Sequence, residues 1–480
     1  MLPPPKLFIA GDWRAASDGR SIDVVNPSDG EKFTTIARGL AADVDTAVKA
    51  ARAAAEGAWG RMPAVERGRL LLKLARAVQD NHETIARLES IDTGKPLKQG
   101  RGDATALARY FEYYGGAADK LHGDTIPFMD GYTVMTFWEP HGVTGHIIPW
   151  NYPSQIFGRS VGASLAVGNA CVVKPAEDAC LAILKITELA AEVGFPPGAL
   201  NVVTGYGEEA GAALSSHPGI DHISFTGSPE TGALVQIAAA KNNKPVTMEL
   251  GGKSPQLVFA DADLDAALPF LVNAIIQNAG QTCSAGSRLL VEKPVYDRVL
   301  DAVGTRFKSL RVGASDMDLD VGPVINKQQQ TRVHGFLERA GKDGLKPAAQ
   351  GAMAPNTPKG GYYVLPTLMG DVPASHELAQ QEVFGPVLAA TPFKDEAEAL
   401  AIANGTAYGL VASVWTRDGG RQLRLARAIQ AGQVFVNNYG AAGGIELPFG
   451  GYKRSGFGRE KGFEGLYAFA ALKTVAIRHG

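Results

Sequence analysis

The spacing of apolar positions changes character along the chain. Residues 43–59 and 64–89 carry apolar side chains three and four apart, as in VERGRLLLKLARAVQDNHETIARL, and this spacing predicts amphipathic helices. Residues 124–140, DTIPFMDGYTVMTFWEP, alternate instead around Asp130-Gly131, which predicts a β-hairpin. A lone hairpin is marginal in water, so it is expected to pack against something else, another subunit included.

From 143 to 250 the pattern changes again. Short apolar, β-rich runs at 143–148, 170–174, 200–204, 222–225 and 246–250 are separated by helical patterns near 153–168, 178–193, 207–215 and 229–241. Such alternation builds a parallel sheet covered on both faces. This is the Rossmann-like α/β class, which binds ligands beyond the carboxyl ends of its strands. The second half alternates less regularly. Strands near 255–259, 287–292 and 434–437, with helices near 263–279, 294–309, 395–404 and 419–430, predict another α/β domain. Residues 342–363, rich in Gly, Pro and Ala, are expected to form a loop.

Composition narrows the class. The chain has 480 residues, more than the ~250–300 at which single cores stop growing, so two or more domains are expected. It is 45% hydrophobic and 20% charged, ordinary for a soluble globular protein. A net charge of −2 gives no bulk attraction to nucleic acid or to an anionic membrane. The N-terminal MLPPPKLFIAGDWR has no secretory apolar core, and no stretch approaches the ~20 apolar residues of a membrane span. Three cysteines, none in CxxC spacing or beside a zinc-type His pair, point to a reducing cytoplasm and to no metal site.

Several strand ends carry residues suited to chemistry. In ISFTGSPETG (223–232) a strand ends at Thr226, Gly227 permits a turn, and Ser228 and Pro229 suit the start of a helix. Free N–H groups there favour a pyrophosphate, although a plain capped helix reads the same way. VVKPAED brings Lys174 and Glu177 to the same sheet edge. A carboxylate there can accept from both ribose hydroxyls and would repel a 2′-phosphate, which favours NAD over NADP; a solvated pair is the alternative. In IIPWNYP, Asn151 is either a neutral donor or a helix cap. In TMELGGKSP, Glu249 ends a strand, where desolvation would raise its pKa toward that of a general base. Cys283, in NAGQTCSAGSR, lies among small and polar neighbours. A thiol with pKa near ~8.5 needs a base or cation nearby to act as a nucleophile. Cys171 and Cys180 sit in apolar runs and read as small core residues. IDTGKP (91–96) has a Gly-Lys pair, but Pro follows where a phosphate loop needs Ser or Thr, so it is set aside.

Taken in order, PWNYP, KPAE, FTGS, ELGGKSP, GQTCSA, EVFGPV and PFGGYKRSGFGRE closely resemble the motif series of the NAD(P)-dependent aldehyde dehydrogenase superfamily. The resemblance runs from about residue 20 to the C-terminus. It implies that Cys283 is the nucleophile, passing through a thiohemiacetal and a thioester that water hydrolyses. It implies that Glu249 is the base, and that the Asn151 amide and the Cys283 N–H form the oxyanion hole. For the cofactor, NAD with NADP less favoured, it assigns Lys174 and Glu177 to the adenosine ribose and Gly227 and Ser228 to the pyrophosphate. Glu382 would hold the nicotinamide ribose, Phe384 would pack beside the nicotinamide, and Ile148 and Trp150 would line the crevice. Glu460 matches a carboxylate that many members use in a proton path with a lysine; Ser160 stands at the lysine's place here, which departs from that pattern.

For the substrate, an aldehyde, the candidates are Arg159 and Tyr152. Arg159 lies about two helical turns from Asn151. Relatives that oxidise succinic semialdehyde carry an Arg at the matching place, where it holds the distal carboxylate; a structural ion pair is the other reading. The small residues of YGAAGGIEL (439–447) suggest room for a bulky aldehyde. The expected fold is aldehyde dehydrogenase-like: an NAD-binding domain over 1–122 and 141–250, a catalytic domain over 251–462, and oligomerisation elements at 123–140 and 463–480. The resemblance implies a dimer or tetramer. A catalytically silent homologue and a cofactor-free thiol hydrolase are the rival classes.

Overall fold

The computed structural model describes residues 2–479. Positions 1 and 480, the outer ends of the expected ranges, lie outside the described residues, as do the side chains of residues 441 and 442 in the YGAAGGIEL stretch.

The alternation seen from 143 to 250 forms one sheet. Its parallel strands stand in the order Leu200–Val202, Ala170–Pro175, Val143–Ile148, His222–Thr226, Val246–Glu249. Antiparallel edge strands close both sides: Leu7–Ile9 and Asp12–Arg14 on one, Gly456–Phe457 on the other. The order of strands reverses direction between Val143–Ile148 and His222–Thr226. At such a switch point the connections leave on opposite faces, and a crevice opens at the carboxyl ends. These strands are buried throughout, so their sequences read as apolar runs.

Helix Pro153–Val167 starts from the switch point. Pro153 suits its first position, and Gly168 (φ +112) ends it in the left-handed conformation that a Cβ would oppose. All but Gln155 of its residues are buried. Its outer face packs on Leu97–Ala117, with Phe157 edge-on to Phe111 at 6.3 Å. Residues 64–89 form two helices rather than one, Ala64–Asp80 and His82–Thr93, because Asn81 (φ −107, ψ +16) leaves helical geometry between them. The 21-residue helix Leu97–Ala117 has four glycines that blur its apolar period.

The second sheet carries six parallel strands in the order Thr367–Met369, Val387–Phe393, Arg288–Glu292, Pro255–Val258, Val411–Trp415, Gln433–Val436, with Pro347–Gln350 antiparallel at one edge. The span expected to be a loop therefore contains Pro347–Gln350 and the short Ala352–Met353 strand. The two sheets are joined by the Leu250-Gly251-Gly252 turn. The chain also returns: Gly456–Phe457 pairs with Val246–Glu249, and Leu466 and Phe469 complete the first core. The residues expected in the catalytic domain thus contribute an edge strand to the first sheet.

The Asp130-Gly131 turn forms as expected, with Gly131 at φ +78. Its longer strand, Tyr132–Pro140, pairs along nine residues with Ala470–Arg478, and Thr125–Ile126 completes a small antiparallel sheet. This arm projects apolar side chains into solvent: Phe128, Met129, Phe137, Leu472 and Ile477 are all exposed.

Candidate active site

Cys283 follows a strained turn. After helix Leu264–Ile276, three consecutive residues are left-handed: Asn278 (φ +48), Ala279 (φ +53) and Gly280 (φ +74). The conformation costs about 1–2 kcal/mol for each residue bearing a Cβ, so contacts elsewhere must hold it. The Asn278 side chain donates to the Asn151 carbonyl at 2.8 Å, and its N–H donates to Gln99 Oε1 at 2.8 Å. The Asn151 side chain donates in turn to the Gln281 carbonyl at 3.0 Å. Tyr152 and Thr282 share a hydroxyl bond of 2.9 Å. A Cβ on Gly280 would lie 2.2 Å from the Gly385 carbonyl oxygen, and one on Gly252 would lie 2.3 Å from that of Cys283. Both glycines therefore permit backbone approaches that fix the loop.

The Cys283 sulfur is half-buried and packs against the cluster of Leu410, Val411 and Phe449. Burial pushes its thiol up to about 11, while the charges of Arg159 and Lys461 pull the other way. The Cys283 N–H makes no hydrogen bond among the described residues, and Asn151 uses one of its two amide hydrogens. Both N–H groups therefore remain available as donors. Cys171 and Cys180 are fully buried, and burial pushes both thiols up.

Glu249 ends the strand beside the switch point. Its side chain is buried, and neither carboxyl oxygen has a hydrogen-bond partner. Burial raises its pKa well above the usual range, Glu460 adds to the rise, and Arg159 opposes it. An unpaired buried carboxyl is a costly group to keep. Here it lies close enough to Cys283 for their charges to interact.

Arg159 is also buried in this site. It pairs with Glu460, donates to Thr226 Oγ1 at 3.3 Å, and lies 5.1 Å from the centroid of Phe449. Glu460 further accepts from Ser224 Oγ at 2.9 Å. The structural ion pair is the arrangement observed for Arg159. Ser160 points away, to His146 Nδ1 at 2.6 Å, so it takes no lysine's place in a path to Glu460.

Beneath Asn151 lies a group that the sequence reading discarded. Lys95 of IDTGKP is fully buried, with its Nζ 3.1 Å from Glu89, paired with Asp103, and 3.0 Å from the Asn151 carbonyl. It also sits 4.3 Å above the Tyr152 ring. Burial lowers its pKa, but Asp103 and Glu89 more than offset this and keep it charged. Glu89 and Asp103 reach onward to Ser154 N–H (3.3 Å) and Gln155 (2.6 Å), so the cluster braces the start of the Asn151 helix. Neither spacing nor local pattern reveals this cluster, because its members come from three helices and a turn.

Lys174 and Ser228 lie at the carboxyl ends of strands Ala170–Pro175 and His222–Thr226. Lys174 and Glu177 pair at 2.7 Å. Ser228 caps helix Pro229–Ala240, accepting from Thr231 N–H at 3.2 Å. Glu382 accepts from Gly252 N–H at 2.9 Å with one oxygen; a Cβ on Gly251 would lie 2.2 Å from the other. Phe384, at φ +58, stands edge-on to Trp150 at 5.4 Å. Ile148 is buried and its carbonyl accepts from Ala176 N–H at 2.8 Å, so it shapes the crevice wall from behind. Two half-buried carboxylates, a capped helix start and an aromatic pair fit a dinucleotide: acceptors for ribose hydroxyls, donors for phosphate, and a flat apolar end. Among the described residues no group of three or more His, Cys, Asp or Glu could hold a metal ion.

The model of the aldehyde dehydrogenase family matches residues 13–475. Aldehyde dehydrogenase 1A1 of Gallus gallus is 43% identical, over 98% of this chain and 93% of its own length. A crystal structure from Burkholderia cenocepacia bearing the aldehyde dehydrogenase name superimposes with a TM-score of 0.99 at 66% identity, covering 99% of this chain and 100% of that one. The crystal structure of PnpE in complex with nicotinamide adenine dinucleotide superimposes with a TM-score of 0.96 at 41% identity, covering 99% of this chain and 97% of that one.

The Lys95 cluster generates a stability prediction. Replacing Lys95 with Met leaves Glu89 and Asp103 buried without their cation, a loss of about 3–5 kcal/mol. The unfolding transition in urea should move to lower concentration; an unmoved transition would contradict the account of this cluster.

Proposed function

Since this chain belongs to the aldehyde dehydrogenase family, we propose that Cys283, Glu249 and Asn151 divide among them the work of oxidising an aldehyde to a carboxylic acid. The enzyme is an NAD(P)-dependent aldehyde dehydrogenase. The observation that carries the assignment is the convergence, from two sheets, of a sulfur, two unused N–H donors and a buried unpaired carboxyl.

The sulfur of Cys283 bonds the aldehyde carbon as its proton passes to a base, and the carbonyl pair moves onto oxygen. The free hydrogen of the Asn151 amide and the Cys283 N–H meet that oxyanion, and one such donor is worth about 3–4 kcal/mol of barrier. NAD(P), when bound, supplies the acceptor for the hydride that leaves this carbon. A thioester on Cys283 remains. Glu249 takes a proton from water, the water oxygen bonds the acyl carbon, and the carbon–sulfur bond breaks. The acid leaves, and the sulfur returns as thiolate. Burial suits Glu249 to this step, because a carboxylate denied solvent is a stronger base once ionised.

Lys174 and Glu177 would hold the adenosine ribose, Gly227 and Ser228 the pyrophosphate, and Glu382 and Phe384 the nicotinamide end. The Glu177 carboxylate favours NAD, although its pairing with Lys174 softens the repulsion of a 2′-phosphate. Tyr152, tied to Thr282 beside the sulfur, would border the substrate. No helix among the described residues is long and apolar enough to cross a membrane. The free thiols favour the cytoplasm. The exposed apolar arm supports a dimer or tetramer built through it.

Three measurements test these readings. With Glu249→Gln, one equivalent of NADH should form in the first turnover. The steady rate should fall about 10²–10⁴-fold as the acyl group stays on Cys283. In the wild type, the steady rate should climb with pH through a group well above the ordinary carboxylate range, since only ionised Glu249 accepts a proton. Full steady turnover in the variant would reject the role. For the arm, Phe137→Glu with Ile477→Glu puts two charges on one face of the small sheet. The mass found by light scattering should fall; an unchanged mass would place the interface elsewhere.

A further inference from the structure

Two cations stand over the ring of Phe449, the aromatic residue that packs against Cys283. Arg159 lies 5.1 Å from its centroid, and Lys461 Nζ lies 5.3 Å from it. Arg159 is already matched by Glu460. Lys461 is different. Among the described residues its ammonium has one polar contact, the Gly443 carbonyl at 3.3 Å, and forms no ion pair. It is half-buried; burial, with Arg159 beside it, lowers its pKa to about 8, while Cys283, Glu249 and Glu460 pull the other way, so it stays mostly charged at neutral pH.

The backbone holds it there. Phe449 and Glu460 exchange both hydrogen bonds, at 2.7 and 2.8 Å, so the residue after Glu460 must leave beside the ring. Lys461 (φ +58) and Gly462 (φ +59) then turn left-handed, a conformation an L-residue adopts only when its surroundings impose it. Gly462 N–H donates to the Ile445 carbonyl at 2.8 Å, which ties this turn to the small-residue stretch near the site. The cation is thus fixed between Phe449 and Gly443, with a ring face behind it and, among the described residues, no carboxylate within ion-pairing distance.

We propose that Lys461 binds the distal carboxylate of the substrate, so that the preferred substrates are aldehyde acids, chains with an aldehyde at one end and a carboxylate at the other. The role expected of Arg159 passes to Lys461, because Arg159 is occupied by Glu460. The ring of Phe449 adds cation–π support to the ammonium and a flat apolar wall for the intervening carbons. This rests on the reading of Cys283 as the nucleophile that takes the aldehyde end.

The test is steady-state NADH formation by the full-length enzyme on matched pairs: butanal against 4-oxobutanoate, and pentanal against 5-oxopentanoate. The wild type should show the higher kcat/KM for the oxo acid of each pair. Lys461→Met should cut the oxo-acid preference, the ratio of kcat/KM for oxo acid to alkanal within each pair, about tenfold or more. Lys461→Arg should restore most of the preference. Equal kcat/KM changes for acids and alkanals, or a wild type that prefers alkanals, would overturn the proposal while leaving the oxidation at Cys283 standing. Oxidation of neither series would remove the underlying reaction reading instead. The wild-type comparison decides the matter even if a variant folds poorly.

Discussion

The site depends on a reciprocal pair of hydrogen bonds. Asn278 donates to the carbonyl of Asn151, and the amide of Asn151 donates to the carbonyl of Gln281. One partner belongs to the switch point of the first sheet, the other to the strained turn that carries Cys283. This clasp, with the Asn278 N–H to Gln99 bond, offsets the cost of the two left-handed residues before Gly280. With it, a sulfur from the second sheet is held against donors and a carboxyl from the first. The Leu250-Gly251-Gly252 turn makes the approach possible, because a side chain at either glycine would strike Glu382 or the Cys283 carbonyl.

Charge is spent carefully around that clasp. Below it, Lys95 is balanced by Glu89 and Asp103, so Asn151 rests on a neutralised, hydrogen-bonded base. To one side, Arg159 is balanced by Glu460, and Ser160 joins His146 and Thr144 in a separate buried chain. Among the described residues, Glu249 has no hydrogen-bond partner and Lys461 meets only the Gly443 carbonyl. One is an acceptor beside the acyl carbon's path; the other is a cation beside the chain that carries it.

The strands and helices of the first sheet were legible because each is short, buried and bounded by Gly, Pro or a capping residue. Ser228 and Pro229 behave as their types suggest. The break at Asn81 was not legible, since the apolar spacing continues across it. Leu97–Ala117 escaped because Gly100, Gly102, Gly115 and Gly116 interrupt its pattern. In the second half, Thr367–Met369, Val387–Phe393 and Val411–Trp415 escaped, as did helix Lys327–Lys342. Irregular connectors around these strands hide the alternation that marked the first sheet. The motif series located Cys283, Glu249 and Asn151, but neither Lys95 nor Lys461 carries a local signal. Lys95 looked like a failed phosphate loop. Lys461 follows PFGGYKRSGFGRE without a motif of its own. Lys95 gains its meaning from the Asn151 carbonyl 56 residues away, and Lys461 from the Gly443 carbonyl 18 residues away, which no local spacing encodes.

The central claim is that one sulfur forms a covalent bond to the aldehyde carbon. Cys283→Ser tests it most directly, because a serine keeps the size and the loop while removing the soft nucleophile. NADH formation from any aldehyde should vanish, while quenching of protein fluorescence by added NADH persists with the wild-type affinity. Retained turnover in that variant would contradict the account.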